Sequence, residues 1–383
     1  MPDTDLQKDM RDWRHHLHAH PEFGFEEART GAFVAGLLRG FGLDEVVEGV
    51  GGTGVVATLR RGSSKRAIAL RADMDALRIA EAGGRVHCST MPGTMHACGH
   101  DGHTAMLLGA ARLLAEEGGF DGTVRFVFQP AEEWGRGALA MLDDGLLERF
   151  PFAEIYGLHN MPGQALGSVT TRSGAFMSAE DNFAIVLTGM GGHASRPQAG
   201  SEVMVAGAAL VTTLQEIVSR RLDPSETAVV SVTQFVTDGA RNVLPSVATI
   251  SGDVRSFDSA VSAAVEAHMR RIAQGIADAH GIAVEVSYTR EFVPLLNDPA
   301  CTAEMLAVAT AIMGAERVSV VERPNTASED FARFLERVPG CFAFLGNGEE
   351  SRPLHNPGYD FADAILLDGA RLHAGIARRR LPA

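Results

Sequence analysis

In the first half of the chain, short apolar runs alternate with one longer segment of different period. The short runs predict buried strands, and they are GVVATL (54–59), RAIALRAD (66–73), TVRFVFQP (123–130) and AEIYGLHN (153–160). The longer segment, HTAMLLGAARLLAEEG (103–118), has apolar residues at helical spacing and ends in glycine, so it predicts a helix. Strand, helix and strand in this order predict a mostly parallel sheet covered by helices.

Polar residues follow these predicted strands at their C-terminal ends. Asp73 and Asp75 come at the end of the second strand, residues 129–133 at the end of the third, and His159 near the end of the fourth. In open α/β sheets this edge is where ligands bind. We therefore expect these side chains to converge on one crevice.

The pattern changes near residue 178. Strand and helix signals then follow in the order NFAIVLTG (182–189), SEVMVAGAALVTTLQEIVSRR (201–221), TAVVSVTQFVTDG (227–239), SVATISGDVRSFD (246–258), AVSAAVEAHMRRIAQGIADAHG (260–281) and AVEVSYTR (283–290). The order β-α-β-β-α-β predicts a split βαβ, ferredoxin-like α+β domain. We therefore predict a larger α/β domain formed by residues 1–177 and 292–383, with residues 178–291 inserted as a second domain.

Composition narrows the class of protein. The chain has 383 residues, of which 45% are hydrophobic and 21% charged, as in an ordinary globular protein of two domains. A net charge of −14 argues against nucleic acid as the partner, since phosphates require clustered Lys and Arg. No run reaches the roughly 18 apolar residues of a membrane span, and the N-terminus has no signal-peptide pattern. The four cysteines show no disulfide framework, so we expect a cytoplasmic protein.

The densest group of chemically active residues is MHACGHDGH (95–103). Cys98 and His100 are two positions apart, so both side chains can face one ion. Sulfur and imidazole nitrogen together favour zinc or a neighbouring transition metal. Taken alone, the stretch is equally compatible with a loop that binds nothing.

Three further segments favour the metal. Glu132 and Glu133 follow a buried strand, where paired carboxylates are costly without a cation. One of them can bind a metal while the other acts as general base. His159 and His355 add two imidazoles, the second in a loop rich in Pro and Gly. The set of candidate ligands is large enough for two ions if one ligand bridges: Cys98, His100, Glu133, His159 and His355.

These segments resemble those of the M20 metallopeptidase family. The resemblance is to its amidohydrolase branch, subfamily D, which includes hippurate hydrolases, N-acyl-amino-acid deacylases and plant auxin-conjugate hydrolases. It covers nearly the whole chain through the motifs RHHLHAHPEFGFEE, ALRADMDAL, MHACGHDGHTAMLLGAA, VFQPAEE, GLHNMPG, GMGGHASRPQAG, RNVLPSVATISGDVR, SEDF and HNPGYDF. It implies a di-metal hydrolase domain that carries an inserted lid and dimerisation domain.

The resemblance also implies how the ligands divide. Cys98 would bridge two divalent ions, either zinc or manganese, or alternatively cobalt or nickel. His100 and His159 would complete one site, while Glu133 and His355 would complete the other.

Supporting roles follow from the same resemblance. Glu132 would take a proton from the metal-bridging water and deliver it to the leaving amine. Asp75 would orient a ligand or the surroundings of the base. Asp101 would either do the same or cap the helix that starts near it. His96 and His103 flank the metal motif and would either support its ligands or be bystanders.

In the inserted domain, the resemblance implies that His193 reaches the active site of the partner subunit, in a homodimer or a higher homo-oligomer, and stabilises the oxyanion. By the same resemblance, Asn242 and Arg255 would contact the substrate. The guanidinium of Arg255 can bind an amino-acid carboxylate with two hydrogen bonds. After ADMDAL the chain has Arg78, where relatives usually carry proline.

The leading hypothesis is a metal-dependent amidohydrolase that cleaves a small N-acyl amino acid, such as hippurate or an N-acetyl amino acid. Its products would be a carboxylic acid and a free amino acid. The nearest alternative is a dipeptidase or aminopeptidase of the same family. A non-catalytic protein with a structural zinc is opposed by Glu132, because a closed four-ligand site needs no adjacent base.

Overall fold

The computed structural model describes residues 3–383, which form two compact units. The larger unit comprises the chain up to Phe176 together with Leu296–Arg323 and Glu329–Ala383. The inserted unit comprises Met177–Leu295 and the short segment Pro324–Ser328. That short segment lies outside residues 178–291, the insertion expected from the sequence.

Helices and strands are distributed along the whole of the described chain. The helices are α1 (Asp3–Ala19), α2 (Ala28–Gly40), α3 (His100–Glu117), α4 (Gly137–Asp143), α5 (Leu146–Arg149), α6 (Val203–Leu214), α7 (Ser259–His280), α8 (Pro299–Met313), α9 (Ala332–Leu335) and α10 (Leu366–Arg380). The strands are β1 (Glu45–Val50), β2 (Gly54–Arg61), β3 (Ala67–Asp73), β4 (Gly122–Gln129), β5 (Ile155–Pro162), β6 (Val169–Thr171), β7 (Gly174–Met177), β8 (Ala179–Thr188), β9 (Gly192–His193), β10 (Ala228–Thr237), β11 (Val243–Leu244), β12 (Val247–Ser256), β13 (Ala283–Phe292), β14 (Leu295–Asn297), β15 (Val318–Val320) and β16 (Gly340–Gly348).

The larger unit is built on an eight-stranded sheet with the spatial order β1-β2-β4-β3-β5-β16-β6-β15. Its centre, β4-β3-β5-β16, is parallel, and β1 and β2 add an antiparallel edge. Strands β3 and β16 are buried along nearly their whole length, as is typical of parallel strands covered by helices. Helix α3 packs on β3 and against α1 and α10. The mostly parallel sheet predicted from the sequence is confirmed.

The parallel strands bring polar residues to one edge of this sheet. Asp73 ends β3 and pairs with Gln129 at the end of β4. His159 lies near the end of β5, the strand on the other side of β3. Because parallel strands share a direction, the segments that follow them start from the same edge.

The inserted unit has a four-stranded antiparallel sheet in the order β10-β12-β8-β13, against which α6 and α7 pack. Buried and less buried residues alternate along β12, because one face of the sheet carries the helices. The order β8-α6-β10-β12-α7-β13 is the β-α-β-β-α-β order predicted from the sequence. None of the helices in residues 3–383 is long and apolar enough to cross a membrane.

Candidate metal centre

A sharp turn at the start of α3 positions Cys98 and His100. Between them, Gly99 has a φ of 95°, and a Cβ there would lie 2.3 Å from Oδ1 of Asn160. Only glycine fits this left-handed and crowded position. The helix begins at His100, three residues earlier than the sequence predicts, so His100 and Asp101 lie in its first turn.

The five candidate ligands form two overlapping groups in the larger unit. In one group, ligand atoms of Cys98, His100 and His159 lie within 4.8 Å of one another. In the other, those of Cys98, Glu133 and His355 do so. Cys98 belongs to both groups, and its Sγ lies 3.5 Å from Nε2 of His159. The division that the family resemblance implies is one of several that these distances allow, since ligand atoms of His100, Glu132 and Glu133 also lie within 4.8 Å of one another.

Neighbouring groups fix the direction of these ligands. Nδ1 of His100 lies 3.1 Å from Oδ1 of Asp75, whose other oxygen accepts a hydrogen bond from the backbone N–H of Glu133 at 3.0 Å. Nδ1 of His159 donates to the carbonyl of Asn160 at 2.7 Å. Each imidazole that donates from Nδ1 has Nε2 free to bind a metal, and this arrangement recurs in metal sites.

Two buried atoms support the presence of a cation. Nε2 of His100 and Oε1 of Glu133, 4.0 Å apart, have no hydrogen-bond partner among the described residues. Nε2 of His355 approaches that oxygen to 3.4 Å. Buried polar atoms rarely lack a partner. With a thiol, imidazoles and a carboxylate as donors, the residues fit a pair of divalent ions such as zinc.

The electrostatics of the ligands favour the same conclusion. Burial, followed by the negative charges of Glu133 and Glu132, raises the pKa of the Cys98 thiol well above its ordinary value. Burial disfavours a charged His100, yet the carboxylates around it, led by Asp73, raise its pKa to about 10. The pocket therefore concentrates negative charge, which a bound divalent cation would stabilise.

Glu132 lies beside both ligand groups, in a single 3₁₀ turn formed by residues 132–134. Its Oε2 is 3.9 Å from Nε2 of His100, and its Oε1 accepts a hydrogen bond of 3.4 Å from the backbone N–H of Asp330. Burial, followed by the charge of Glu329, raises the pKa of Glu132 well above its ordinary value. A carboxyl group whose pKa is raised in this way accepts a proton more readily than an ordinary glutamate, as a general base requires.

A buried arginine organises the carboxylates behind Glu132. Arg71, on β3, lies 2.8 Å from Glu329, 3.2 Å from Asp330 and 2.8 Å from Asp73. These contacts explain the SEDF motif as a partner of Arg71. The sequence interpretation gave Arg71 no role, although an arginine inside an apolar strand is itself a signal of buried carboxylates.

His103, for which the sequence left open a supporting role, joins three elements of the site. Its Nδ1 lies 2.6 Å from Asp73, and its Nε2 lies 2.7 Å from Oδ1 of Asn160. The amide nitrogen of Asn160 donates to the hydroxyl of Tyr359, in the loop that carries His355. This network ties the start of α3 to β5 and to the His355 loop.

Asp101 does not cap α3, in contrast to one of the two roles considered for it. The N-cap position is Gly99, and no side chain caps the helix. Instead, Oδ2 of Asp101 lies 2.8 Å from Nδ1 of His18 and accepts a hydrogen bond of 3.1 Å from Arg14. Burial opposes a charge on His18, but Asp101 raises its pKa to about 9. Asp101 therefore fastens α3 to α1.

The substrate residues expected in the inserted domain lie in the inserted unit. His193 on β9 is exposed, and β9 pairs with β11, so Asn242 lies close by and accepts a hydrogen bond from the N–H of Ala194. Arg255 lies on β12, where its guanidinium contacts Glu180 at 2.8 Å and Asp253 at 2.9 Å. Arg255 is therefore already paired with two carboxylates.

Arg78, the residue that departs from the family pattern, lies on the surface of the larger unit. Its guanidinium is 4.1 Å from the ring centre of Phe23 and 3.6 Å from Glu26. The ring of Phe23 in turn packs at 5.3 Å against Trp134, in the turn that contains Glu132. The cation is thus held by an aromatic ring and a carboxylate.

Comparison with known families identifies the class of protein. The sequence pattern of peptidase family M20/M25/M40 matches residues 69–379, so the chain belongs to this family. The family assignment made from the motifs is confirmed, and the protein is an enzyme, a metal-dependent hydrolase of this family.

Particular relatives are similar over their full length. Hippurate hydrolase of Campylobacter jejuni is 39% identical, with 98% of each chain covered. N-acetyl-L-cysteine deacetylase of Bacillus subtilis is 37% identical, covering 99% of this chain and 89% of the relative. A crystal structure from Bacillus subtilis, described as a dinuclear metal-binding peptidase of the M20 family, is 31% identical with a TM-score of 0.87 over 99% of both chains.

Proposed function

We propose that the enzyme hydrolyses the amide bond of small N-acyl amino acids, such as hippurate or N-acetyl amino acids, with two divalent ions bound. The observation that carries this proposal is the buried Glu132 beside two ligand groups that share Cys98. The similarity to a hippurate hydrolase and to an N-acetylcysteine deacetylase supports this substrate class.

In the proposed reaction, Cys98, His100 and His159 would hold one ion, while Cys98, Glu133 and His355 would hold the other. The ions, zinc or manganese, would lower the pKa of the attacking water and polarise the amide carbonyl. Glu132 accepts the proton of the water and then delivers it to the amine nitrogen as the carbon–nitrogen bond breaks. Asp75 keeps His100 oriented throughout.

The inserted unit supplies the remaining groups in this proposal. His193 of the partner subunit donates a hydrogen bond to the oxyanion. Arg255, assisted by Asn242, binds the carboxylate of the amino acid, sharing its guanidinium among Glu180, Asp253 and the substrate. An anionic substrate is repelled by a chain with a net charge of −14, so a local positive charge such as that of Arg255 favours its binding.

We propose a homodimer, on the support of an exposed apolar edge in the inserted unit. Strand β10 lies at the edge of its sheet and exposes Val229, Phe235 and Val236. Unpaired apolar edges are sites of strand addition or dimer contact. The four cysteines are free, which supports a reducing compartment, the cytoplasm.

A panel of substrates tests the proposed reaction. Hippurate, several N-acetyl amino acids and simple dipeptides would be compared with enzyme loaded separately with zinc, manganese, cobalt or nickel. We expect the N-acyl amino acids to be turned over with higher kcat/KM. Exclusive turnover of dipeptides would favour the peptidase alternative, which the similarity to a structure described as a peptidase keeps open.

Replacing Glu132 tests the mechanism separately from the substrate. The Glu132→Ala variant should retain two ions, because neither ligand group needs this side chain. Its kcat should fall by about 10²–10⁴-fold, the usual contribution of a general base. Glu133→Ala is the comparison, since it should lose metal. Unchanged turnover in Glu132→Ala, with metal content intact, would rule the mechanism out.

A further inference from the structure

The turn that presents Glu132 is held in an unfavourable backbone conformation. Ala131, directly before it, has a φ of 48° in the left-handed region. A residue with a Cβ adopts this region only when its surroundings stabilise it, and such outliers cluster at active sites. The direction in which the Glu132 side chain leaves the backbone therefore depends on whatever holds Ala131.

Glu27 makes the side-chain contact to this residue. It is fully buried, and one carboxylate oxygen accepts a hydrogen bond from the backbone N–H of Ala131 at 2.8 Å. The other oxygen accepts from the hydroxyl of Thr53 at 2.6 Å. Burying a carboxyl group costs free energy, so the contacts of the Glu27 side chain must account for its position.

Helix capping does not account for this position. Glu27 occupies the N-cap position of α2, but its side chain makes no capping hydrogen bond. Both oxygens are directed to Ala131 and Thr53 instead. The carboxylate thus connects the start of α2 to the turn before Glu132, a separation of about a hundred residues in sequence.

The same segment also holds the neighbouring parts of the site. The carbonyl of Glu22 accepts a hydrogen bond from the N–H of Ala76, directly after Asp75. A Cβ on Gly24 would lie 3.1 Å from the Cβ of Ala131, tighter than most such contacts, so a larger residue there would push against the turn. Residues 22–27 therefore brace both the Asp75 loop and the Glu132 turn.

We propose that Glu27 is a positioning residue for Glu132: by holding the N–H of Ala131, it keeps the turn in the conformation that places the base beside the metal ligands. This proposal rests on the proposed role of Glu132 as general base. Glu27 acts through Ala131 and contacts neither a metal ligand nor the substrate.

Two substitutions at position 27 separate the contact from the charge. Glu27→Ala removes the acceptor, and we expect kcat to fall about 10- to 100-fold, as small misplacements of catalytic groups do. KM and the content of two ions should stay unchanged. Glu27→Gln should keep most of the kcat, because its carbonyl oxygen can accept from Ala131 while its amide donates to Thr53.

A destabilising change elsewhere in α2 is the control for a merely structural role. Leu38→Ala opens a cavity in the core of the same helix without touching the turn. It should lower Tm and leave kcat at the wild-type value. The proposal is overturned if Glu27→Ala keeps its kcat, if it loses metal, if only KM rises, or if Glu27→Gln is as impaired as Glu27→Ala.

A double-mutant cycle distinguishes failure of this proposal from failure of the general-base assignment. In the Glu132→Ala background, measured at high enzyme concentration, Glu27→Ala should cause no further loss of kcat. A further loss as large as in the wild type would show that Glu27 acts independently of Glu132. Full activity of Glu132→Ala alone would instead overturn the general-base assignment.

Discussion

Cys98 is the residue on which the proposed two-ion site depends, because both ligand groups include it. Its burial and negative neighbours raise the pKa of the thiol, so thiolate should form there only with bound cations. We expect Cys98→Ser to lose metal, since a hydroxyl does not ionise in its place. Cys98→Asp should retain metal, because a carboxylate can bridge two ions. Metal content measured by plasma mass spectrometry checks both outcomes.

The control for this prediction is Cys88→Ser, at a half-buried cysteine outside both groups, which should keep its metal. Cobalt-loaded wild-type enzyme should also show a sulfur-to-cobalt charge-transfer absorption that Cys98→Asp lacks. Full metal content and unchanged absorption in Cys98→Ser would contradict the assignment of Cys98 as a ligand.

Glu27 gives a prediction about pH and stability. Burial raises its pKa to about 7 in the folded protein, from an ordinary value of 4.5. Between these values the folded state holds a proton that the unfolded state has released, so this group's contribution to stability is lost as pH rises to about 7. Glu27→Gln mimics the protonated form. Relative to wild type, the free energy of unfolding of Glu27→Gln should be higher at pH 8 than at pH 5 by on the order of 1–3 kcal/mol. Its Tm relative to wild type should be higher at pH 8 as well. An equal difference at both pH values would contradict the raised pKa.

Residue types and motif order were enough to select the candidate ligands, because sulfur, imidazole and carboxylate at strand ends restrict the chemistry severely. Asp75 was selected as a supporting residue in the same way, but the partners of Arg71 and His103 were not. Arg71 pairs with Glu329, and His103 reaches Asn160, across long separations in sequence. Such partners are chosen by the three-dimensional arrangement of strands, and local pattern carries no signal for the pairing.

At the scale of the element, the first turn of α3 carries much of the site. Gly99→Ala would place a Cβ 2.3 Å from Asn160 and 2.7 Å from the hydroxyl of Tyr359, in a strained backbone conformation. We expect a loss of stability of about 1–3 kcal/mol or more and weaker metal binding, because Cys98 and His100 would move apart. Tm and metal affinity measure these effects.

Gly36→Ala is the matched control in helix α2. A Cβ at that position would meet no atom within 4 Å. Alanine in a helix interior reduces the entropy of the unfolded chain, so Tm should stay the same or rise. Equal Tm and equal metal affinity in Gly99→Ala and Gly36→Ala would contradict the proposal that the Gly99 turn positions Cys98 and His100.

Element types followed from periodicity better than element boundaries did. The segment 103–118 was predicted as a helix, and α3 is one, but it begins at His100. Apolar residues start only at Ala105, while the helix begins directly after Gly99, where contacts with β5 and the His355 loop leave no room for a Cβ. Similarly, the helices of the inserted unit were predicted because their apolar faces repeat regularly.

At the scale of the whole molecule, the proposed homodimer predicts sensitivity at the edge strand β10. Val236 is an exposed valine on this strand, and Val236→Lys should weaken dimerisation by about 10-fold or more, since a charge opposes apolar contact. Because His193 is proposed to act in the partner subunit, kcat should fall with the dimer fraction. Sedimentation velocity and activity at several protein concentrations measure both.

Val320→Lys is the control for this substitution. Val320 is equally exposed but lies on β15 of the larger unit. This variant should stay dimeric and active. If Val236→Lys remained dimeric with full activity, the edge strand would not be the interface.

Metal removal should affect the two units differently, because the ligand groups found in the described residues all lie in the larger unit. An ion that binds only the folded state stabilises it by about 4 kcal/mol at a thousand times its Kd, so chelation should lower Tm by on the order of 10 °C. Hydrogen exchange shows which elements lose stability: amides of α3 and β3 should exchange faster after chelation, while the exchange rates of β8 and β12 should not change.

The control is Cys98→Ser, which should already lack metal, so the chelator should have little effect on it. Equal acceleration in both units would show that the ions stabilise the fold through something other than this site.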